Sequence, residues 1–218
     1  METLVEFFRM FLNLDEVLRD LVPVYGHWVY LVLFAIIFAE TGLVVTPFLP
    51  GDSLLFAAGA LAGDAILDLR VLIPLLIGAA VVGDSINYYV GAKLGRTLVD
   101  RYSRIIKPRH VARTEAFYLR HGGKTIVIAR FLPIIRTFAP FVAGISRMPY
   151  GRFMMFNVSG GILWVVSMTG IGYLFGNLPW VQHNFEAVIV GIIVISVLPA
   201  VIEAVRASRH PEDPTGSV

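Results

Sequence analysis

Cysteine is absent from the 218 residues, which excludes disulfides, a thiolate nucleophile, iron-sulfur clusters and cysteine-type zinc sites. Charge is scarce: Asp, Glu, Lys and Arg make up 16% of the chain, against about 25% in ordinary soluble proteins. The five histidines stand at spacings that make no metal box, so no metal and no cofactor is expected. What fills the chain instead is apolar: 56% of residues are hydrophobic and mean hydropathy is +0.73. A water-soluble globule is excluded. The net charge of +2 gives no sign of nucleic-acid binding.

A hydrocarbon core of about 30 Å takes about 20 helical residues to cross. Leu21 to Ala39 and Phe153 to Phe185 carry no formal charge, and Val71 to Ala92 carries only Asp84. A last run from about Phe185 to Val205 makes four expected spans. Two further apolar stretches, about 40–63 and 125–148, contain Pro47, Pro50 and Gly51, and Pro133 and Pro140. Proline removes a donor and drives its predecessor out of the helical region, so both are expected to break mid-way as re-entrant hairpins. Kinked ordinary spans are the alternative. Residues 1–20 read as an interfacial amphipathic helix, 21–205 as one membrane domain, and 206–218 as a disordered tail.

Between positions 93 and 124 lie nine of the eighteen basic residues, a bias that marks a cytoplasmic loop and could also meet anionic headgroups. Pro108 and Gly122 would bound a short helix within it. With that loop inside, alternate crossings leave both termini cytoplasmic. Ala62-Gly63 precedes Gly91-x-x-x-Gly95 as Ala143-Gly144 precedes Gly172-x-x-x-Gly176, at an offset of 81 residues. The pattern suggests an inverted repeat of hairpin plus transmembrane helix, with flanking helices, although small residues also recur simply to pack membrane helices. The expected fold class is an all-α polytopic membrane protein.

Glu40, Asp52, Arg130 and Arg136 fall inside apolar stretches, where each charge costs about 2.5–3.5 kcal/mol on insertion scales. They must therefore face one another, water or a ligand. If the hairpin tips meet, the acids of the first neutralise the arginines of the second. A guanidinium offers paired donors that suit phosphate. Asp84, Asn87 and Tyr88 share one span and could line a pathway, with Asp84 and Tyr88 one turn apart. Asn157, Ser159 and Ser167 read as interhelical hydrogen-bonding groups, and Trp28, Trp164, Trp180 and His27 carry no particular expectation.

Glu40-Thr41-Gly42 with Pro47-Phe48-Leu49-Pro50-Gly51-Asp52 resembles the first signature of the DedA family, also called the SNARE-associated or VTT-domain family. Gly123-Lys124, Arg130-Phe131-Leu132-Pro133-Ile134-Ile135-Arg136-Thr137 and Ala143-Gly144 resemble its second. The resemblance implies a bacterial inner-membrane lipid transporter or flippase. Its substrate would be undecaprenyl phosphate or a phospholipid, and transport would depend on the proton motive force. The family's acidic pair falls on Glu40 and Asp52 and its arginine pair on Arg130 and Arg136; by their chemistry the arginines are expected to bind substrate phosphate and the acids to couple protons, with a purely stabilising buried ion network as the alternative. The partners expected are thus an anionic membrane lipid and protons, with a monomer and a homodimer both open. A lipid-phosphate phosphatase is disfavoured because no Ser-Gly-His occurs, so no enzyme is expected. A proton or cation antiporter and a non-transporting assembly factor remain the alternatives.

Overall fold

The computed structural model describes residues 22–43, 51–101 and 123–194. Among them every regular element is helical. The interfacial helix of residues 1–20, the Pro108–Gly122 helix, Pro47 and Pro50, and the tail lie outside the described residues. In chain order the helices are α1 Trp28–Gly42, α2 Gly51–Gly63, α3 Leu69–Arg101, α4 Lys124–Ala129, α5 Pro133–Ile145, α6 Tyr150–Phe175 and α7 Pro179–His183, followed by α8, Phe185–Val194.

Local chemistry sets several boundaries. Asp68 caps α3 by accepting the Arg70 N–H at 2.8 Å, the role a short acidic side chain plays at a helix start. Its own N–H donates to the Tyr30 hydroxyl at 2.7 Å, which ties this start to α1. Pro133 and Pro179 occupy the first turns of α5 and α7 after extended Leu132 and Leu178, as a ring without an N–H prefers. Both α2 and α5 end in the same turn: Ile66 N–H returns to Leu61 and Met148 N–H to Ala143, with Ala65 and Arg147 in left-handed backbone. That is a Schellman closure, here made with residues other than glycine.

Leu69–Lys93 of α3 and Tyr150–Phe175 of α6 are long and apolar enough to cross a membrane. Within the first expected span a helical turn at 22–25 precedes α1, which at 15 residues is a shorter apolar helix and runs on past Ala39 through Glu40, Thr41 and Gly42, so Glu40 lies at the end of α1. The uncharged run from Phe153 to Phe185 holds α6, which ends at Phe175, then a turn and the short α7 over Pro179–His183, where a loop between two spans is expected. Of the last span, α8 is described as far as Val194. The second stretch does break at Arg130–Leu132, between α4 and α5, but Pro140 does not break it and lies inside α5. A membrane helix tolerates such a proline because local adjustment and neighbouring helices re-satisfy the freed carbonyl.

Packing is reciprocal. α2, buried from Gly51 to Ala62, lies on α6, while α5 lies on α3. A methyl on Gly59 would strike the Thr169 carbonyl and one on Gly172 the Phe56 carbonyl; likewise Gly144 meets Tyr88 and Gly91 meets Phe141. The small-residue correspondence therefore pairs Phe56-Ala57-Ala58-Gly59 with Phe141-Val142-Ala143-Gly144, one helical turn before the Ala62-Gly63 expected from spacing. α1 packs on α3. The main core joins Leu33, Ile37, Leu55, Leu61, Leu72, Leu76 and Trp164, and a smaller one centres on Tyr88, Ile126 and Phe153.

Candidate functional site

Among the described residues five charged side chains are buried in this apolar frame: Glu40, Asp52, Asp84, Arg130 and Arg136. They sort into two centres. In the first, Arg136 reaches out from the first turn of α5, and its Nη2 pairs with Glu40 Oε1 at the end of α1. Its Nη1 lies 3.2 Å from Asp52 Oδ1 at the start of α2. Glu40 Oε1 also accepts the Gly51 N–H at 3.1 Å. A side chain at position 51 would collide with that carboxylate, so only glycine lets the first turn of α2 meet the end of α1.

Trp164 of α6 completes this centre. Its indole N–H donates to Asp52 Oδ1 at 2.7 Å, and its ring lies under the Arg136 guanidinium, 4.6 Å from centroid to Cζ. Such a contact is worth about 2 kcal/mol or more when desolvated.

The second centre forms where the chain breaks between α4 and α5. Arg130 Nη2 pairs with Asp84 Oδ2 of α3 at 2.5 Å and donates to Asn157 Oδ1 of α6. Asn157 Nδ2 in turn donates to the Val81 carbonyl at 3.0 Å, linking α6 to α3. The flank of Arg130 lies against the bare backbone of Gly160 and Gly161. Arg130 Nε and Nη1, Arg136 Nε, Glu40 Oε2 and Asp84 Oδ1 are buried with no hydrogen-bond partner. Each such orphan costs about 1–3 kcal/mol, more when charged.

The expected acid–arginine approach is thus made by Arg136, whereas Arg130 pairs with Asp84. Asn87 braces the centre from α3, donating to the Thr137 carbonyl at 2.7 Å and the Thr41 carbonyl at 3.4 Å. Tyr88 does not bond Asp84. Its hydroxyl donates to the Met148 carbonyl, and its ring stacks on Phe153 at 4.5 Å. Ser159 and Ser167 bond carbonyls within their own helix, while Trp28, Trp180 and His27 are exposed. An open cavity of 610 Å³ at Tyr30, Ile66, Asp68, Arg70 and Tyr173 touches none of the five charges. No group of three or more His, Asp or Glu side chains among the described residues could hold a metal.

The VTT domain model matches residues 49–174. Protein DedA of Escherichia coli strain K12 is 53% identical over 201 residues, covering 91% of this chain and 92% of that protein. The chain belongs to the DedA family. Inner membrane protein YghB of the same strain is 36% identical over 170 residues, with 78% of each chain covered. A membrane protein of Mycobacterium leprae is 46% identical over 175 residues, 80% and 78% of the two chains. No solved structure matches. This DedA-family chain is accordingly a membrane protein, and its matched region contains Asp52, Asp84, Arg130, Arg136 and Trp164. Sequence reasoning missed Trp164. The available signal was its place in the middle of a span, since membrane tryptophans favour the interfaces and a buried indole needs an acceptor.

Proposed function

We propose that this protein is an inner-membrane lipid transporter that moves a phosphate-bearing lipid across the bilayer with proton coupling. The observation that carries this reading is a set of buried guanidinium donors without acceptors, Arg130 Nε and Nη1 and Arg136 Nε, held beside carboxylates that can exchange protons. An anionic headgroup would supply those acceptors, and a carboxylate displaced from its arginine in a low-dielectric site takes up a proton. Glu40 and Asp52 are the coupling acids. Neither a catalytic step nor a metal is part of this function.

The fold reading that goes with it is an inverted repeat of two re-entrant hairpins, with both termini in the cytoplasm. Supporting it, α2 and α5 have 13 residues each, about 20 Å of helix, and cannot cross about 30 Å of hydrocarbon. Each lies on the long helix of the other unit, as in transporters whose broken helices meet near the midplane.

Reconstitution into liposomes tests the function. A fluorescent phosphatidylglycerol or polyprenyl phosphate should cross faster under an imposed pH gradient, and Glu40→Gln and Asp52→Asn should abolish the gradient response in protein that still inserts. Unchanged gradient-driven movement in both variants would reduce the acids to structural braces. Single cysteines at 50 and 133, in a chain without native thiols, test the hairpins: labelling from opposite bulk phases, as for complete crossings, refutes them.

A further inference from the structure

The two arginines sit in unequal surroundings. Arg136 is held from three sides: both terminal nitrogens face carboxylates, Glu40 on α1 and Asp52 on α2, and its face rests on Trp164 of α6. An anion arriving there must displace two carboxylates and part three helices. Arg130 spends only Nη2, on Asp84 and Asn157, and keeps Nε and Nη1 buried and without acceptors. An anion arriving here must displace one carboxylate, on one helix, and finds donors already waiting.

The backbone reinforces the difference. Arg130 is the cap residue that ends α4 at the break before α5, while Arg136 is inside α5. Displacing a helix end rearranges less than displacing a helix whose Gly144 packs directly on the backbone of α3. The seat of Arg130 is also shaped for it: a Cβ on Gly160 would lie 3.1 Å from its Cδ and 3.3 Å from its Nε, and one on Gly161 would lie 3.6 Å from Nη1. Bare backbone at two successive positions leaves this guanidinium room to shift along α6. Asp84 Oδ1, the oxygen not bound to Arg130, also lacks a partner, so Asp84 is held by a single contact.

We infer that the first anion contact is made by Arg130 in exchange for Asp84 while Arg136 is still bound to Glu40 and Asp52 as a brace joining α1, α2 and α5, so that the coupling acids are released only after the anion has docked. The ligand chemistry is a phosphate-type anion, on a lipid headgroup or free. This assignment rests on the transport reading above and divides the labour within its site. Asp84 is then a positioning residue: it holds Arg130 in the empty site and competes with the anion for it.

Competition gives the test its sign. Removing an internal competitor tightens anion binding, so full-length protein in nonionic detergent is titrated calorimetrically with short-chain phosphatidate, short-chain phosphatidylcholine and inorganic phosphate. Asp84→Asn should bind phosphatidate about tenfold more tightly than the unsubstituted protein, with a smaller gain for Asp52→Asn. Should Asp84→Asn fail to fold, Arg130→Lys and Arg136→Lys give the same answer: the first should lose more affinity, and the second should lose more thermal stability. The same order of variants with inorganic phosphate, at comparable affinity, identifies the ligand as the free ion; binding of phosphatidate alone identifies the headgroup. Greater tightening in Asp52→Asn, or greater loss of affinity in Arg136→Lys, overturns the division while leaving the transport reading intact. Equal affinity of the unsubstituted protein for phosphatidate and phosphatidylcholine, with no phosphate binding, overturns both.

Discussion

Replacing Trp164 with phenylalanine isolates one contact of the charged centre. The substitution keeps an aromatic face beneath Arg136 and removes the N–H that Asp52 Oδ1 accepts at 2.7 Å. Interhelical hydrogen bonds in membranes average about 0.6 and reach about 1.7 kcal/mol; a buried, ionised acceptor puts this one near the upper value. Exchanging indole for benzene under a guanidinium weakens the cation–π contact by about 0.5 kcal/mol. The sum is about 2 kcal/mol, or about 4–8 °C in melting temperature for a chain of this size. The assay is thermal unfolding of purified protein in detergent, followed by loss of the monodisperse species. Trp180→Phe, at an exposed position, is the control and should shift little. A double-mutant cycle with Asp52→Asn should return about 1–1.5 kcal/mol of coupling. Equal melting temperatures for the two tryptophan variants, or a cycle closing on zero, would refute the assignment.

Gly144→Ala drives a methyl into the Tyr88 carbonyl, whereas Gly78 has open space around it. The first should cost several kcal/mol and most of the folded yield, and Gly78→Ala should leave the melting temperature level or slightly raised. Ala65 holds a left-handed φ of 58° at an exposed site, so Ala65→Gly should stabilise by about 0.5–1 kcal/mol, read as a rise in melting temperature. Glu40→Gln keeps an acceptor for Gly51 N–H and should fold, while Glu40→Ala leaves Arg136 partly unpaired and that N–H orphaned. A loss of about 3–5 kcal/mol follows for the alanine variant, measurable as the fraction of expressed protein that elutes monodisperse.

The charged centre was legible in part because charges in apolar runs are expensive, which requires Glu40, Asp52, Arg130 and Arg136 to face one another, water or a ligand; the structure takes the first course with Arg136. How the acids are shared was not legible. The Arg130–Asp84 pair depends on the rotational phase of α3 and on the place where the chain leaves α4, and neither is encoded in spacing. Proline carried different information at different positions: Pro133 marks a helix start because Leu132 before it is extended, whereas Pro140 sits inside the same helix unmarked. The glycine correspondence was visible but one turn out of phase, because the register of α2 on α6 is set by which carbonyl each glycine meets.

Because each short arm rests on the long helix of the other half, the first half of the chain reaches the bilayer before its partners exist. Asp52 precedes Arg136 by 84 residues and Trp164 by 112, which at about 10 residues per second is on the order of ten seconds of synthesis. During that interval α2 has neither its seat on α6 nor the cation that Asp52 needs, and an unpaired carboxylate has no stable place in hydrocarbon. The nascent α2 must wait in water, at the lipid interface or in the insertion machinery, and enter only once α5 and α6 follow. A chain cut between α3 and α4 should therefore give two fragments, neither of which matures alone.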